Sequence, residues 1–278
     1  MLAADPEAKV IAGGTALLIV IKHGVYVPGT LINLKKVQDA ADITWDPVTG
    51  LRIGALASIY EVESHPAVRE WYPVLHTACH VVANIRIRNL ATIGGNLAHA
   101  DYQSDPPSAL VALGARVELT GPGGRRETAL SDFLIGSYET DLAADEILSA
   151  ILVPRPTPDT HSTYLKLTTR SSEDRPCAAV TASVRLADGG RIGAALLVIG
   201  AVSPTPVRVT EAEGLARDAS PSGELFAAMG EACSRAVDPI ADVRGSADYK
   251  RHVVGVLAER ALARATAASR GALSGGHA

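Results

Sequence analysis

Aromatic residues are scarce in this 278-residue chain, at 4%. So few rings cannot tile the stacking platforms that single-stranded nucleic acids need. With 26 basic residues against 30 acidic ones there is no positive field for a phosphate backbone either, so nucleic acid is not an expected partner. Cysteine is nearly absent: Cys79, Cys177 and Cys233 lie far apart and form no CxxC pair. An odd, scattered set suits neither a disulfide framework nor an iron–sulfur cluster and reads as free thiols in a reducing cytoplasm. The eight histidines fall in no HExxH or other metal-ligand spacing, so no metal site is expected. Neither GxGxxG nor a GxxxxGK run followed by Ser or Thr occurs, which argues against Rossmann and P-loop folds. The longest apolar runs, Ala16 to Ile21 and Ala194 to Val202, are too short to span a bilayer. The opening Met1-Leu2-Ala3-Ala4-Asp5-Pro6 lacks the basic region and apolar run of a signal peptide. A cytoplasmic protein without a transmembrane segment is expected.

At 47% hydrophobic, the chain can bury one large core or two smaller ones. Lys9 to Ala12 reads as a buried strand stopping at Gly13-Gly14, followed by a short helix over Ala16 to Lys22. Thr30 to Asn33 reads as a strand. Asp46-Pro47-Val48-Thr49-Gly50 is turn chemistry between two strands, Ile43 to Trp45 and Leu51 to Ile53. Helices are expected over Ser58 to Ser64, Pro73 to Ala83 and, starting at Ser104-Asp105-Pro106-Pro107, through Leu113. Strands follow at Arg116 to Leu119 and Ile147 to Val153. Three prolines within Pro154 to Pro158 mark an extended connector. Beyond it come strands at Thr163 to Leu167, Ala178 to Leu186 and Ile192 to Ile199, the last two joined by Asp188-Gly189-Gly190. Helices over Glu224 to Val237 and Tyr249 to Ala267 complete the reading. The division is an α+β domain over 1–156, a smaller antiparallel sheet-plus-helices domain over 160–268, and a flexible Gly- and Ala-rich tail over 269–278.

Two glycine-centred segments carry the chemistry: Ala12-Gly13-Gly14-Thr15 and Ala91-Thr92-Ile93-Gly94-Gly95-Asn96. Each joins two glycines to a hydroxyl residue. Glycine admits backbone conformations closed to other residues and lets N–H groups approach an anion with no Cβ in the way. The short helix after Thr15 adds its positive end. Two such turns facing each other suit a diphosphate. Either one alone is more often just a tight turn.

The two turns, in this order, with Leu31-Ile32-Asn33-Leu34, Ile53-Gly54-Ala55 and Ile87-Arg88-Asn89 between them and Leu97-Ala98-His99-Ala100 after, resemble the FAD-binding subunits of the molybdenum hydroxylases. Phe133, Glu146-Ile147-Leu148, Tyr164-Leu165-Lys166 and Asp242 to Arg251 extend the resemblance over nearly the whole chain. It implies a two-part FAD-binding domain of the PCMH type ahead of the C-terminal domain. It also implies non-covalent FAD, with the diphosphate held by Val10, Ile11, Ala12, Gly13, Gly14, Thr15, Ala16 and Leu17 and by Thr92, Ile93, Gly94, Gly95 and Asn96. Asp105 matches an acidic position near the flavin's sugar-like chain, where a carboxylate accepts hydroxyl hydrogen bonds. The alternative is a helix-capping acid. Leu148 matches an aliphatic residue against the flavin ring, with Ile147 as the alternative. Lys166 matches a lysine of the flavin pocket, or else is a solvated strand residue. Gly94→Val is expected to abolish FAD binding in a chain that still folds, and Gly189→Val to leave binding alone.

No catalytic residue is implied. The resemblance assigns substrate oxidation to a large subunit with the molybdenum cofactor and assigns [2Fe-2S] clusters to a small subunit. This chain would pass electrons through FAD to NAD, a quinone or another acceptor, in an (αβγ)₂ complex. Two departures stand out. Relatives begin with a further strand and helix before the first glycine turn, and many carry a polar or acidic residue where Ala16 stands. His99 with Asp101 reads as a structural or flavin-shell pair, and Arg86 and Arg88 point either to phosphate or to a partner. Two rivals remain: a self-contained FAD-dependent oxidoreductase and a flavin-free scaffold subunit.

Overall fold

The computed structural model describes Leu2, Asp5 and residues 7–275. Strand β1 (Ala8–Ile11), helix α1 (Leu17–Lys22) and strand β2 (Thr30–Asn33) form a small unit in which the strands pair in parallel, as a helical crossover requires. No residue of α1 is buried. The other strand pairings are antiparallel.

The larger part of the first domain opens with the expected hairpin of β3 (Ile43–Asp46) and β4 (Gly50–Gly54). Its turn is tied by the Asp46 carboxylate, which accepts the N–H groups of Val48 and Thr49 at 2.8 and 2.7 Å. Six helices follow: α2 (Ile59–Ser64), α3 (Pro66–Trp71), α4 (Pro73–His80), α5 (Ile85–Leu90), α6 (Ile93–His99) and α7 (Pro106–Ala112). Local signals start most of them. A Ser58/Glu61 capping box opens α2, proline sits in the first turn of α3, α4 and α7, and Asn84 and Thr92 cap α5 and α6. Then come β5 (Arg116–Gly121), β6 (Gly124–Ala129), α8 (Leu130–Phe133), β7 (Leu134–Gly136), β8 (Glu139–Thr140) and β9 (Ile147–Val153). The main sheet runs β3-β4-β9-β5-β6, and its inward residues, such as Ile53, Val117 and Ile151, pack with Ile59, Leu75 and Leu97 of the helices in one core.

In the second domain β10 (Thr160–Leu167), β11 (Ala178–Leu186), β12 (Ile192–Gly200) and β13 (Val207–Arg208) form one sheet in chain order. Helices α9 (Thr210–Leu215), α10 (Gly223–Ala236) and α11 (Ala247–Gly275) complete it. Strand β11 is buried along nearly its whole length, because its two faces are covered by different domains. Ala178, Val180, Ala182 and Val184 pack against α10 and α11. On the other face, Ala179 joins Tyr164 and Ala201 in an apolar cluster with Val74, Ala78 and Ala109 of the first domain.

The α+β class agrees with the sequence reading, and several details differ. Helix α4 ends at His80, short of Ala83, whose φ of 40° cannot continue a helix. Helix α6 stands where a glycine-centred turn was expected, and α5 falls where no element was assigned. Strand β6 was missed because its exposed Arg125-Arg126-Glu127 stretch has no apolar alternation. Helix α11 continues past Ala267 through Ser269 to Gly275, so the segment expected to be a flexible tail is helical over 269–275. Residues 276–278 of that tail lie outside the described residues.

Candidate functional site at the two glycine segments and the domain seam

The two glycine segments meet. A Cβ on Gly13 would collide with the carbonyl of Leu90 and lie 3.0 Å from Cα of Ala91, the residue before Thr92. Gly14 takes φ +73°, the left-handed region, as the turn between β1 and α1 demands. Among the described residues, the N–H groups of Gly13, Gly14, Thr15 and Ala16 donate to no protein acceptor. All four residues are half-buried, and four successive N–H groups in one loop are suited to anion oxygens.

The second segment is built differently from the expected nest. Thr92 caps α6, its hydroxyl oxygen accepting the Gly95 N–H at 3.1 Å. The Ile93 N–H donates to Ala57, that of Gly94 to Ala55 and that of Asn96 to Thr92. Every N–H of the first turn is therefore engaged within the protein. Gly94 has ordinary helical backbone, and a Cβ there would sit 2.5 Å from Cβ and 2.7 Å from the carbonyl of Ala55. Its smallness serves the fold, so the expectation that Gly94→Val spares folding and removes only a phosphate contact is corrected: the branched side chain would drive α6 off the β4 end. What this segment turns outward is exposed Gly95, and beside it half-buried Asn96. The Asn96 side chain is paired both ways with the Ser104 hydroxyl, at 2.7 and 2.9 Å.

Asp105 lies at the seam between the domains. It is 4% exposed. The Tyr164 hydroxyl donates to Oδ1 at 2.6 Å, and Lys166 Nζ lies 3.2 and 3.3 Å from the two oxygens. Lys166 also donates to the carbonyls of Val81, at 2.7 Å, and Asp174, at 3.2 Å. Burial pushes the Asp105 carboxyl up to about 6, against the pull of Lys166 and the Tyr164 hydrogen bond. The same burial, with the carboxylate beside it, raises the Tyr164 phenol well above its ordinary value. Leu148 is packed in the first core and Ile147, on the opposite side of β9, is half-buried.

The first 156 residues match the family described as the FAD binding domain in molybdopterin dehydrogenase, and residues 163–265 match the CO dehydrogenase flavoprotein C-terminal domain. The chain belongs to the FAD-binding subunits of the molybdenum hydroxylases. It is 31% identical to the carbon monoxide dehydrogenase medium chain of Afipia carboxidovorans, over 95% of this chain and 91% of that one. It is 29% identical to the xanthine dehydrogenase FAD-binding subunit of Escherichia coli O157:H7, over 98% and 94%. A chain of quinoline 2-oxidoreductase from Pseudomonas putida superposes with a TM-score of 0.92 at 28% identity, covering 96% of this chain and 92% of that one. The cofactor of this flavoprotein subunit is FAD.

For a member of this family, the seam residues take on a different meaning from their isolated readings. Asp105 makes no side-chain cap to α7, and Lys166, its side chain 8% exposed, is not solvated. Both capping and solvation are thus replaced by an interdomain clasp. Arg88 is committed to buried Glu63, at 2.8 Å, and to the Val82 and Ala83 carbonyls, which removes it from the phosphate candidates. Arg86 is exposed. His99 and Asp101 are not a catalytic pair: Asp101 is bound by Arg175 at 2.8 Å, and the His99 ring lies 5.1 Å from that of Tyr138. Burial also lowers the His99 pKa. Sequence reasoning missed Gln103 and Asp242, which hydrogen-bond each other at 2.8 Å across 139 residues of chain. A pairing so distant leaves no local signal. Among the described residues no group of acidic, histidine and cysteine side chains is arranged to hold a metal, and no helix is long and apolar enough to cross a membrane.

Proposed function

We propose that this chain holds one non-covalent FAD and relays electrons within a molybdenum hydroxylase complex. The observation that carries the reading is the row of free N–H groups from Gly13 to Ala16, lying against the residues that lead into Thr92. That row receives the diphosphate, with Val10, Ile11, Ala12 and Leu17 framing it. Gly95 and Asn96 form the opposite wall, where Gly95 leaves room and the Asn96 amide supplies polar contact, and Thr92, Ile93 and Gly94 fix the helix behind them. Asp105 and Lys166 hold the seam beside the sugar-like chain, and Leu148, rather than Ile147, closes the wall against the ring. When bound, FAD supplies the redox chemistry, taking electrons from a donor and delivering them to an acceptor. The protein's part is to bind, orient and shield. None of its side chains needs to exchange a proton with the organic substrate.

The donor is a small subunit carrying [2Fe-2S] clusters, and substrate is oxidised on a large subunit carrying the molybdenum cofactor, in an (αβγ)₂ assembly. NAD or a quinone serves as final acceptor. The FAD-binding domain spans 1–156 and the C-terminal domain 160–268. A cytoplasmic setting accords with three unpaired cysteines, all buried. Stripping the chain of flavin and titrating it with FAD tests the binding claim: one equivalent should be taken up, and acid precipitation should release all of it to the supernatant. Colour retained in the pellet overturns the non-covalent claim, and no uptake leaves the scaffold reading.

A further inference from the structure

The segment from Asp101 to Asp105 belongs to the first domain, yet three alternate side chains within it are gripped by the second. Asp101, Gln103 and Asp105 are buried. Asp101 is bound by Arg175, Asp105 by Tyr164 and Lys166, and the Gln103 side-chain amide donates to Asp242 Oδ2 at 2.8 Å. Asp242 is itself anchored. Lys250, from the first turns of α11 and 0% exposed, donates to its Oδ1 at 2.9 Å and to the Ile240 carbonyl at 2.7 Å. The Arg244 N–H donates to the same carboxylate oxygen at 2.8 Å. A fully buried ammonium held by a carboxylate has little freedom, since any displacement leaves a charge uncompensated.

On its other side the segment reaches the second glycine segment. Ser104, next to Gln103, is the residue paired with the Asn96 side chain. A path of short polar contacts with one backbone step therefore runs Lys250, Asp242, Gln103, then along the backbone to Ser104, and on to Asn96.

We propose that Gln103, Asp242 and Lys250 are positioning residues for the flavin: the C-terminal domain sets the placement of Asn96, and with it flavin affinity, through this path. The inference rests on the proposed FAD site. Beyond Lys166, it gives the C-terminal domain an indirect part in binding a cofactor whose glycine segments both lie in the first domain. Asn96 is free to take other rotamers once Ser104 shifts, and the wall facing the diphosphate is then no longer preorganised.

The test uses the full chain, stripped of flavin and titrated with FAD while flavin fluorescence is followed. Gln103→Leu cuts the path yet leaves the Lys250–Asp242 pair intact. It should weaken FAD binding about tenfold, as expected when one charge-assisted hydrogen bond is lost, and should change the visible spectrum of the bound flavin. Asp242→Asn should do the same or more, and if it fails to fold Gln103→Leu decides alone. Met229→Ala, in the second core away from the path, should lower the unfolding temperature without changing FAD affinity, which separates positioning from general loosening. A folded Gln103→Leu protein that binds FAD with wild-type affinity and spectrum overturns the inference. A wild-type chain that takes up no FAD overturns the proposed site itself.

Discussion

Asp105 shows how far a single side chain is defined by its surroundings. Its carboxyl faces a phenol and an ammonium, and still burial dominates and carries it to about 6. A carboxyl whose pKa is higher folded than unfolded favours the folded state most when protonated. Its contribution is complete below its ordinary value of 3.8 and is lost as the pH rises through about 6. Wild type should therefore lose stability relative to Asp105→Asn between about pH 4 and pH 6, in urea unfolding of the flavin-free protein at a series of pH values. A difference between the two that stays flat over this window would mean that the carboxyl titrates normally. Lys166 makes the opposite point. Read along the strand it is one more surface lysine, but all of its partners come from elsewhere in the chain, at Val81, Asp105 and Asp174.

At the scale of elements, α6 holds the main lesson. Two adjacent glycines and a threonine look like a turn, because glycine disfavours a helix by about 1 kcal/mol relative to alanine. The helix forms because Thr92 caps it and because its first turn is hydrogen-bonded to the Ala55 and Ala57 carbonyls after β4. Those bonds require the helix to approach so closely that only hydrogen fits at residue 94. Gly94→Ala should therefore destabilise the flavin-free protein by about 1–3 kcal/mol through overpacking, more than its gain in helix propensity. Thermal or urea unfolding measures this directly, and a variant as stable as wild type would show that α6 has room to shift. The loop from Gly13 to Ala16 is the counterpart. Its glycines keep N–H groups free, whereas those of α6 let helix and sheet touch. Two motifs alike in sequence thus differ in build: the first leaves its N–H groups without protein acceptors among the described residues, and the second packs helix against sheet.

At the scale of the whole molecule, two cores share a seam made of a small apolar cluster, of ion pairs from Asp101 and Asp105, and of the Gln103 hydrogen bond to Asp242. On the proposed reading, the flavin takes its electrons from partner subunits. Gentle purification of the native protein should yield molybdenum and iron together with flavin, in a complex with two further kinds of subunit. A native protein that runs alone, free of both metals and active on an organic substrate, would falsify the subunit reading and favour the self-contained oxidoreductase.

The order of the glycine segments, the proline-rich connector and the alternation of the strands were enough to determine the α+β class and the family. These are local patterns or linear spacings, which a chain displays whether or not it is folded. Capping and turn signals are equally local, so α2 and the Asp46 turn were legible. The tertiary structure alone decided which of the glycine N–H groups remain free, that Asp105 and Lys166 meet, and that Gln103 answers to Asp242. Each of these depends on the partner a polar group finds across the fold. Burial makes that choice, because an unpaired polar group inside a protein costs more than the freedom surrendered to pair it.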